Sequence, residues 1–91
     1  MCDAMQEVTW KVIKNEAKRL GWKYNEIGQR GDVKYIERKD GLRIIVRKMR
    51  IRWLIDIVNS DYSEESIVID TEKNAIRNMM KLLLMYEFVI E

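Results

Sequence analysis

The sequence predicts an α+β fold in a single domain, residues 1–91, with an N-terminal helix, an antiparallel meander of three to five strands and a C-terminal helix. Three observations support it. Apolar residues recur at helical spacing before Gly21, side chains alternate in character from Val33 to Trp53 around an Asp-Gly step, and the stretch after Thr71 is rich in apolar residues. We expect both helices to pack on one face of the sheet.

The first helix is predicted by apolar residues spaced three and four apart, which form one stripe along a helix. These residues are Met5, Val8, Val12, Ile13, Ala17 and Leu20. Gly21 is expected to end the helix, because glycine adopts the left-handed conformation that follows many helices. A strand over 22–27 and a turn at Gly28–Gly31 are predicted next.

The segment from Val33 to Trp53 predicts a β-hairpin. Asp40-Gly41 between two alternating runs indicates a two-residue type I′ turn, which needs positive φ at both positions. Pairing across that turn divides the side chains between two faces. The predicted inner face carries Val33, Tyr35, Leu42, Ile44 and Val46, and the predicted outer face carries Lys34, Ile36, Arg38, Arg43, Ile45 and Arg47.

A further strand is predicted from Ile51 to Val58, with its odd-numbered residues inward, so that Trp53 and Ile55 join the core. No turn-forming residue separates Lys48 from Arg50. A bulge within one long bent strand is therefore favoured over a tight reversal.

The C-terminal part predicts a polar loop over 59–66, a short strand over 67–69 and a helix capped by Asp70 or Thr71. Apolar residues surround the axis of that helix, which indicates cover on more than one side and favours a homodimer. The predicted dimer contacts are Met79, Leu82, Leu83, Met85, Tyr86 and Phe88. In the alternative, residues 86–90 form a terminal strand.

Composition narrows the possible chemistry. The chain has 17 Lys and Arg, 15 Asp and Glu, one Cys and no His, with a net charge of +2. The commonest general base and Cys/His metal sites are therefore excluded, and no metal, cofactor or small-molecule substrate is predicted. The abundance of Ile, Lys, Arg and Glu is typical of thermophilic proteins. The first twenty residues mix acids and bases, which favours a cytoplasmic protein without membrane contact.

The charges are divided unevenly along the chain. Residues 1–53 carry 14 bases and 7 acids, whereas residues 54–91 carry 3 bases and 8 acids. Clustered arginine favours phosphate recognition, so the predicted function is a small nucleic-acid-binding module for DNA or RNA. Its predicted contacts are Lys34, Arg38, Arg43 and Arg47, extended by Lys48, Arg50 and Arg52.

Two other interpretations remain at this point. In one, Asp56, Asp61, Glu64 and Glu65 fold back to neutralise Arg50, Arg52 and their neighbours. In the other, the chain is a non-enzymatic protein-interaction module that dimerises through its C-terminal helix.

The placement of Asp32 and Lys48 resembles the layout of the PD-(D/E)xK nuclease family, which has an acid at the start of one strand and an acidic-x-Lys at the end of the next. That resemblance implies a metal-dependent nuclease. Val46 stands where the second carboxylate of the family belongs, and a divalent ion would there lack one of its two protein carboxylates. We therefore expect the protein not to be an enzyme.

Overall fold

A computed structural model describes residues 7–28 and 31–88 of the chain and contains two helices and five strands. The elements in order are α1 (Trp10–Arg19), β1 (Lys23–Ile27), β2 (Val33–Glu37), β3 (Arg43–Lys48), β4 (Trp53–Val58), β5 (Glu64–Ile69) and α2 (Glu72–Phe88). Three parts of the predictions lie outside the described residues: Met5 of the first helix, residues 29–30 of the first turn, and residues 89–90.

The strands form one antiparallel meander in the order β1-β2-β3-β4-β5, and the helices contact the sheet. Buried apolar side chains of both helices meet those of one sheet face in a single cluster. Its members are Ile13, Ala17, Trp22, Ile36, Leu42, Ile44, Val46, Trp53, Ile55, Ile57, Ala75, Met79, Leu82 and Leu83. The predicted fold class, with both helices on one face, is confirmed.

The helix ends follow local chemistry. The Thr9 hydroxyl accepts a hydrogen bond from the Val12 N–H and caps the start of α1. At the other end the Trp22 N–H donates to the Ala17 carbonyl at 2.8 Å, and Gly21 has a φ of +85°. This is the glycine termination that the sequence predicts.

The β2–β3 hairpin differs from the predicted register by one residue. Tyr35 pairs with Ile45 and Ile36 with Ile44, whereas the sequence predicts Tyr35 opposite Val46. A shift of one residue exchanges the two faces of a strand. The Tyr35 side chain therefore lies on the face away from the helices, and Ile36 is buried in the core, contrary to prediction.

The turn explains this shift. The Gly41 N–H donates to the Arg38 carbonyl at 3.0 Å, and the Arg38 N–H donates to the Leu42 carbonyl at 2.8 Å. Three residues therefore separate the strands instead of two. Gly41 has a φ of +97°, whereas the φ of Asp40 is not positive. Asp-Gly thus occupies the last two positions of a three-residue turn, not a type I′ turn.

The bulge predicted near Lys48 is wrong. Lys48 pairs with Trp53, and the Met49 N–H donates to the Arg52 carbonyl at 2.7 Å, so the chain reverses tightly between β3 and β4. The reversal keeps Trp53 and Ile55 on the helix-facing side, as predicted.

In the C-terminal part, β5 begins three residues earlier than predicted, and the predicted helix is present as α2. The predicted loop over 59–66 is shorter, because β5 already begins at Glu64. Thr71 caps α2, since its hydroxyl accepts from the Asn74 N–H at 3.2 Å. The helix continues through Phe88, so the alternative of a terminal strand is wrong for residues 86–88.

The predicted dimer contacts fall into two groups. Met79, Leu82 and Leu83 are buried in the core of a single chain, and they are therefore not available to a partner. Met85 and Phe88 are exposed, and Tyr86 is partly buried against the core.

Candidate nucleic-acid interface

The sheet face opposite the helices, here called the open face, carries three rows of side chains that run across all five strands. Register places neighbours of one row side by side. From the end nearest the β3–β4 turn, the rows are Ile27, Val33, Arg47, Leu54 and Val68; then Asn25, Tyr35, Ile45, Asp56 and Ser66; then Lys23, Glu37, Arg43, Val58 and Glu64. The first row is largely apolar, and the third is mostly charged.

Arg43 and Arg47 lie on the open face, as predicted, and each has an acid within reach. Arg47 Nη2 is 3.2 Å from an Asp56 carboxylate oxygen, while Arg43 Nε is 3.7 Å from Glu37. Asp56 is only 6% exposed, and its other oxygen accepts from the Ser66 hydroxyl at 2.7 Å. Arg47 is therefore paired with a buried carboxylate, whereas the contact of Arg43 with Glu37 is longer and more exposed.

A shallow groove of about 340 Å³ lies between these two arginines. Its lining is Ile27, Val33, Tyr35, Arg43, Ile45 and Arg47. The Tyr35 hydroxyl accepts from the Asn25 side-chain amide at 3.2 Å, which ties the end of the ring to β1. The predicted register places Tyr35 on the inner face. The correct face depends on the length of the hairpin turn, and Asp-Gly is compatible with both lengths.

Lys34 and Arg38 do not join that surface. Lys34 Nζ lies 4.8 Å from the centre of the Trp10 ring, on the helix-facing side, and also donates to the Gly31 carbonyl. Arg38 donates to the Tyr86 carbonyl at 2.8 Å. The structure therefore separates these two side chains from Arg43 and Arg47, although the predicted register groups all four.

Arg38 also has an acidic partner close by in sequence. Its guanidinium donates to both Asp40 carboxylate oxygens, at 2.8 and 2.6 Å. These hydrogen bonds are the main reason why the pKa of Asp40 falls from its usual 3.8 to about 2. A paired guanidinium of this kind would have to leave its carboxylate to bind a phosphate.

The β3–β4 turn, residues 48–52 and here called the basic turn, carries cations in a different state. The side chains of Lys48, Arg50 and Arg52 are exposed, and none has a hydrogen bond or ion pair with another residue that the structure describes. Between them, Met49 is 51% and Ile51 is 80% exposed. The basic turn therefore presents charge and apolar surface together.

The apolar side chains of the basic turn continue onto the open face. A second shallow cavity, of about 370 Å³, is lined by Met49, Arg50, Ile51, Arg52, Trp53, Leu54 and Val68. Leu54 and Val68 belong to the row that contains Arg47. Residues 49–52 of the basic turn and the open face thus form one connected surface. Lys48 pairs with Trp53, so its side chain lies on the helix-facing side of the sheet, contrary to prediction.

The acids of the C-terminal half do not neutralise the basic turn. Asp56 forms an ion pair with Arg47. Glu64 and Glu65 lie on β5 beside Val58 and Ile57, at the end of β4 far from the basic turn. By strand rise, that end lies about 15 Å from the basic turn. Among the described residues, no acid forms an ion pair with Arg50 or Arg52. The folding-back interpretation is therefore wrong for these two arginines and holds only for their neighbour Arg47, which pairs with Asp56.

A second cationic surface, which sequence reasoning missed, lies on α1. Lys11, Lys14 and Lys18 are exposed and line a cleft of about 410 Å³ beside Trp10 and Tyr24. Their spacing of three and four residues places them on one side of the helix, and that spacing is readable in the sequence. This group provides a natural comparison for the basic turn.

The nuclease-like layout brings Asp32 and Lys48 together only through the backbone, where the Lys48 N–H donates to the Asp32 carbonyl at 2.9 Å. Val46, at the position of the missing carboxylate, is fully buried in the core. Within residues 7–28 and 31–88, no group of three or more potential ligands is arranged to hold a metal ion.

Comparison of the chain with protein-family models, with curated proteins and with solved structures finds no match. In the described part of the chain, no helix is long and apolar enough to cross a membrane. The function is therefore inferred from the geometry and charge of the basic turn and the open face.

Proposed function

We propose that the protein is a nucleic-acid-binding module whose main phosphate contacts come from the basic turn, with Arg43 and Arg47 beside it on the open face. One observation carries the proposal: the side chains of Arg50 and Arg52 are exposed in one tight turn, next to the exposed Lys48, and none of these three side chains has a partner among the described residues. Repulsion among clustered cations is relieved when an anion binds between them. A phosphate backbone supplies such anions at regular spacing.

The chemistry of these side chains suits phosphate. The guanidinium groups of Arg50 and Arg52 offer forked donors that match two phosphate oxygens. Neither guanidinium is paired with a carboxylate of the described residues, so a phosphate can bind to Arg50 and Arg52 without breaking an ion pair within the protein. Arg47 differs, since a phosphate must compete with Asp56 at 3.2 Å.

The exposed apolar residues of the basic turn are compatible with the same ligand. Met49 and Ile51 alternate with the cations, so a bound backbone would bring its sugars or bases against them. We therefore expect both electrostatic and apolar contributions to affinity.

The test is a fluorescence-anisotropy titration with duplex and single-stranded DNA and RNA at two or more salt concentrations. Salt weakens phosphate binding because neutralised phosphates release counterions. The double variant Arg50→Ala/Arg52→Ala should flatten the slope of log K against log salt by about 1.8 for duplex or about 1.4 for single strands, which corresponds to two lost contacts.

The matched control is Lys14→Ala/Lys18→Ala, which removes the same charge from the exposed side of α1. This control should keep a slope close to that of the unmodified protein. Absence of binding by the unmodified protein, or an equal loss of slope in both double variants, would reject a specific role for the basic turn. A loss only in the α1 variant would move the site to that helix.

A second candidate function is a homodimeric protein-interaction module. It is favoured by the exposed Met85 and Phe88 near the end of α2, which leave apolar surface on that helix. Light scattering at micromolar concentration gives the mass directly. A mass of two chains that falls to one in Phe88→Glu would support this candidate, and a mass of one chain would reject it.

A further inference from the structure

We infer that the groove between Arg43 and Arg47 on the open face receives an unpaired nucleobase, so that the nucleic acid bound is single-stranded. This inference rests on the proposed function and specifies its ligand. It depends on the register of the β2–β3 hairpin, which places an aromatic ring on the open face.

The groove has the composition of a base-stacking site. Tyr35 and Ile45 lie directly opposite each other on two central strands, while Ile27 and Val33 extend the apolar lining toward one end. The Tyr35 ring is partly exposed, and its hydroxyl is held by the Asn25 amide at 3.2 Å. A ring that is already positioned loses little conformational freedom when a base stacks on it.

The apolar lining distinguishes single strands from duplexes. In a duplex the faces of the bases are stacked on one another, so a sheet surface meets mainly phosphates, sugars and base edges. An unpaired base can turn its flat apolar face onto an aromatic or aliphatic side chain. Only the single strand can therefore cover Tyr35 and Ile45 while its phosphates meet cations.

Charge favours a nucleic acid over a neutral apolar ligand. Arg43 and Arg47 stand on either side of Ile45 along β3, and the basic turn begins at Lys48, directly after Arg47. Phosphates on both sides of a base in the groove would therefore meet a guanidinium. The remaining strand can continue onto Arg50 and Arg52, which have no described partner.

The deciding experiment compares Tyr35→Ala with Tyr35→Phe in binding to oligo(dT) or oligo(U) and to a duplex of equal length. Loss of a stacking ring is expected to weaken single-strand binding by at least about 5-fold, with about 2-fold or less change for duplex. Tyr35→Phe keeps the ring and loses only the contact with Asn25, so its single-strand affinity should stay within about 2-fold. Circular dichroism checks that each variant is folded.

A second measurement avoids substitution altogether. Oligonucleotides that carry 5-iodouracil are cross-linked to the unmodified protein by light, and the modified peptide is identified by mass spectrometry. Cross-links to Tyr35 support the inference, whereas cross-links confined to the basic turn or α1 overturn it.

The outcomes separate this inference from the proposed function. If no nucleic acid binds, both are wrong. If duplex and single strand bind equally and Tyr35→Ala changes neither, the base site is wrong and phosphate binding by the basic turn stands. If the unmodified protein is a dimer that Tyr35→Ala dissociates, the groove is an interface between two copies and the inference is overturned.

Discussion

The Arg47 guanidinium lies 3.2 Å from the carboxylate of Asp56, on the face of the sheet opposite α1 and α2. Asp56 is nearly buried although it lies on the open face, because neighbouring strands surround it with side chains such as Ile45 and Ser66. A buried carboxylate is costly unless it is paired and hydrogen-bonded. The pair therefore links the stability of the sheet to the surface proposed to bind phosphate.

Arg47→Ala should lower the free energy of unfolding by about 1–3 kcal/mol, since it leaves Asp56 with Ser66 as its main partner. The partial exposure of Arg47 favours the lower part of that range. Urea denaturation of Arg47→Ala, Asp56→Ala and the double variant measures the coupling. Additive effects of the two single substitutions would contradict a stabilising pair.

The interaction between Arg38 and Asp40 predicts that the free energy of unfolding depends on pH in the acid range. The pKa of Asp40 is lowered to about 2 in the folded chain by the Arg38 guanidinium, so the folded state binds fewer protons than the unfolded state between about pH 4 and 2. The stabilisation is complete above the usual value of 3.8 and is lost as pH falls through about 2. Because the pair is exposed, its size should be below about 1 kcal/mol.

Asp40→Asn is the variant that tests this dependence. Urea denaturation between pH 2 and 6 should show a smaller loss of stability in acid for Asp40→Asn than for the unmodified chain. Parallel curves for the two proteins would show that Asp40 has an ordinary pKa in the folded state.

Tyr62 predicts a stabilising substitution. It is 87% exposed and has a φ of 70°, the left-handed region that large side chains rarely adopt. Tyr62→Asn should raise the free energy of unfolding by about 0.5–1 kcal/mol, because asparagine adopts this conformation more readily. Tyr62→Ala provides the control and should not give this gain. Equal melting of the Asn and Ala variants would mean that the backbone conformation at this position is not strained.

Two positions of α2 that are two residues apart should differ in their effect on stability. Leu83 is fully buried, so Leu83→Ala should cost about 2–5 kcal/mol of unfolding free energy. Met85 is exposed, and Met85→Ala should change stability by less than about 1 kcal/mol. Chemical denaturation of both variants measures the difference. A large loss in Met85→Ala would show that this side chain has a partner, such as a second chain.

Sequence alone determined the two helices, the antiparallel strands and their order, apart from the reversal that separates β3 from β4, because helical and alternating patterns depend on neighbours only a few residues apart. The end of α1 at Gly21, the cap at Thr71 and the inward positions of Trp53 and Ile55 were all predicted from such local patterns. The exposure of Arg43 and Arg47 was predicted as well.

Tertiary structure decided which face each residue of β2 occupies. Asp40-Gly41 fits a two-residue and a three-residue turn, and the choice between them exchanges Tyr35 with Ile36. In the same way, apolar residues all around α2 do not indicate which side of the helix the sheet covers, so the sequence predicts Leu83 at a dimer interface although it fills the core. Both decisions depend on contacts between residues distant in the chain, and local patterns do not contain them.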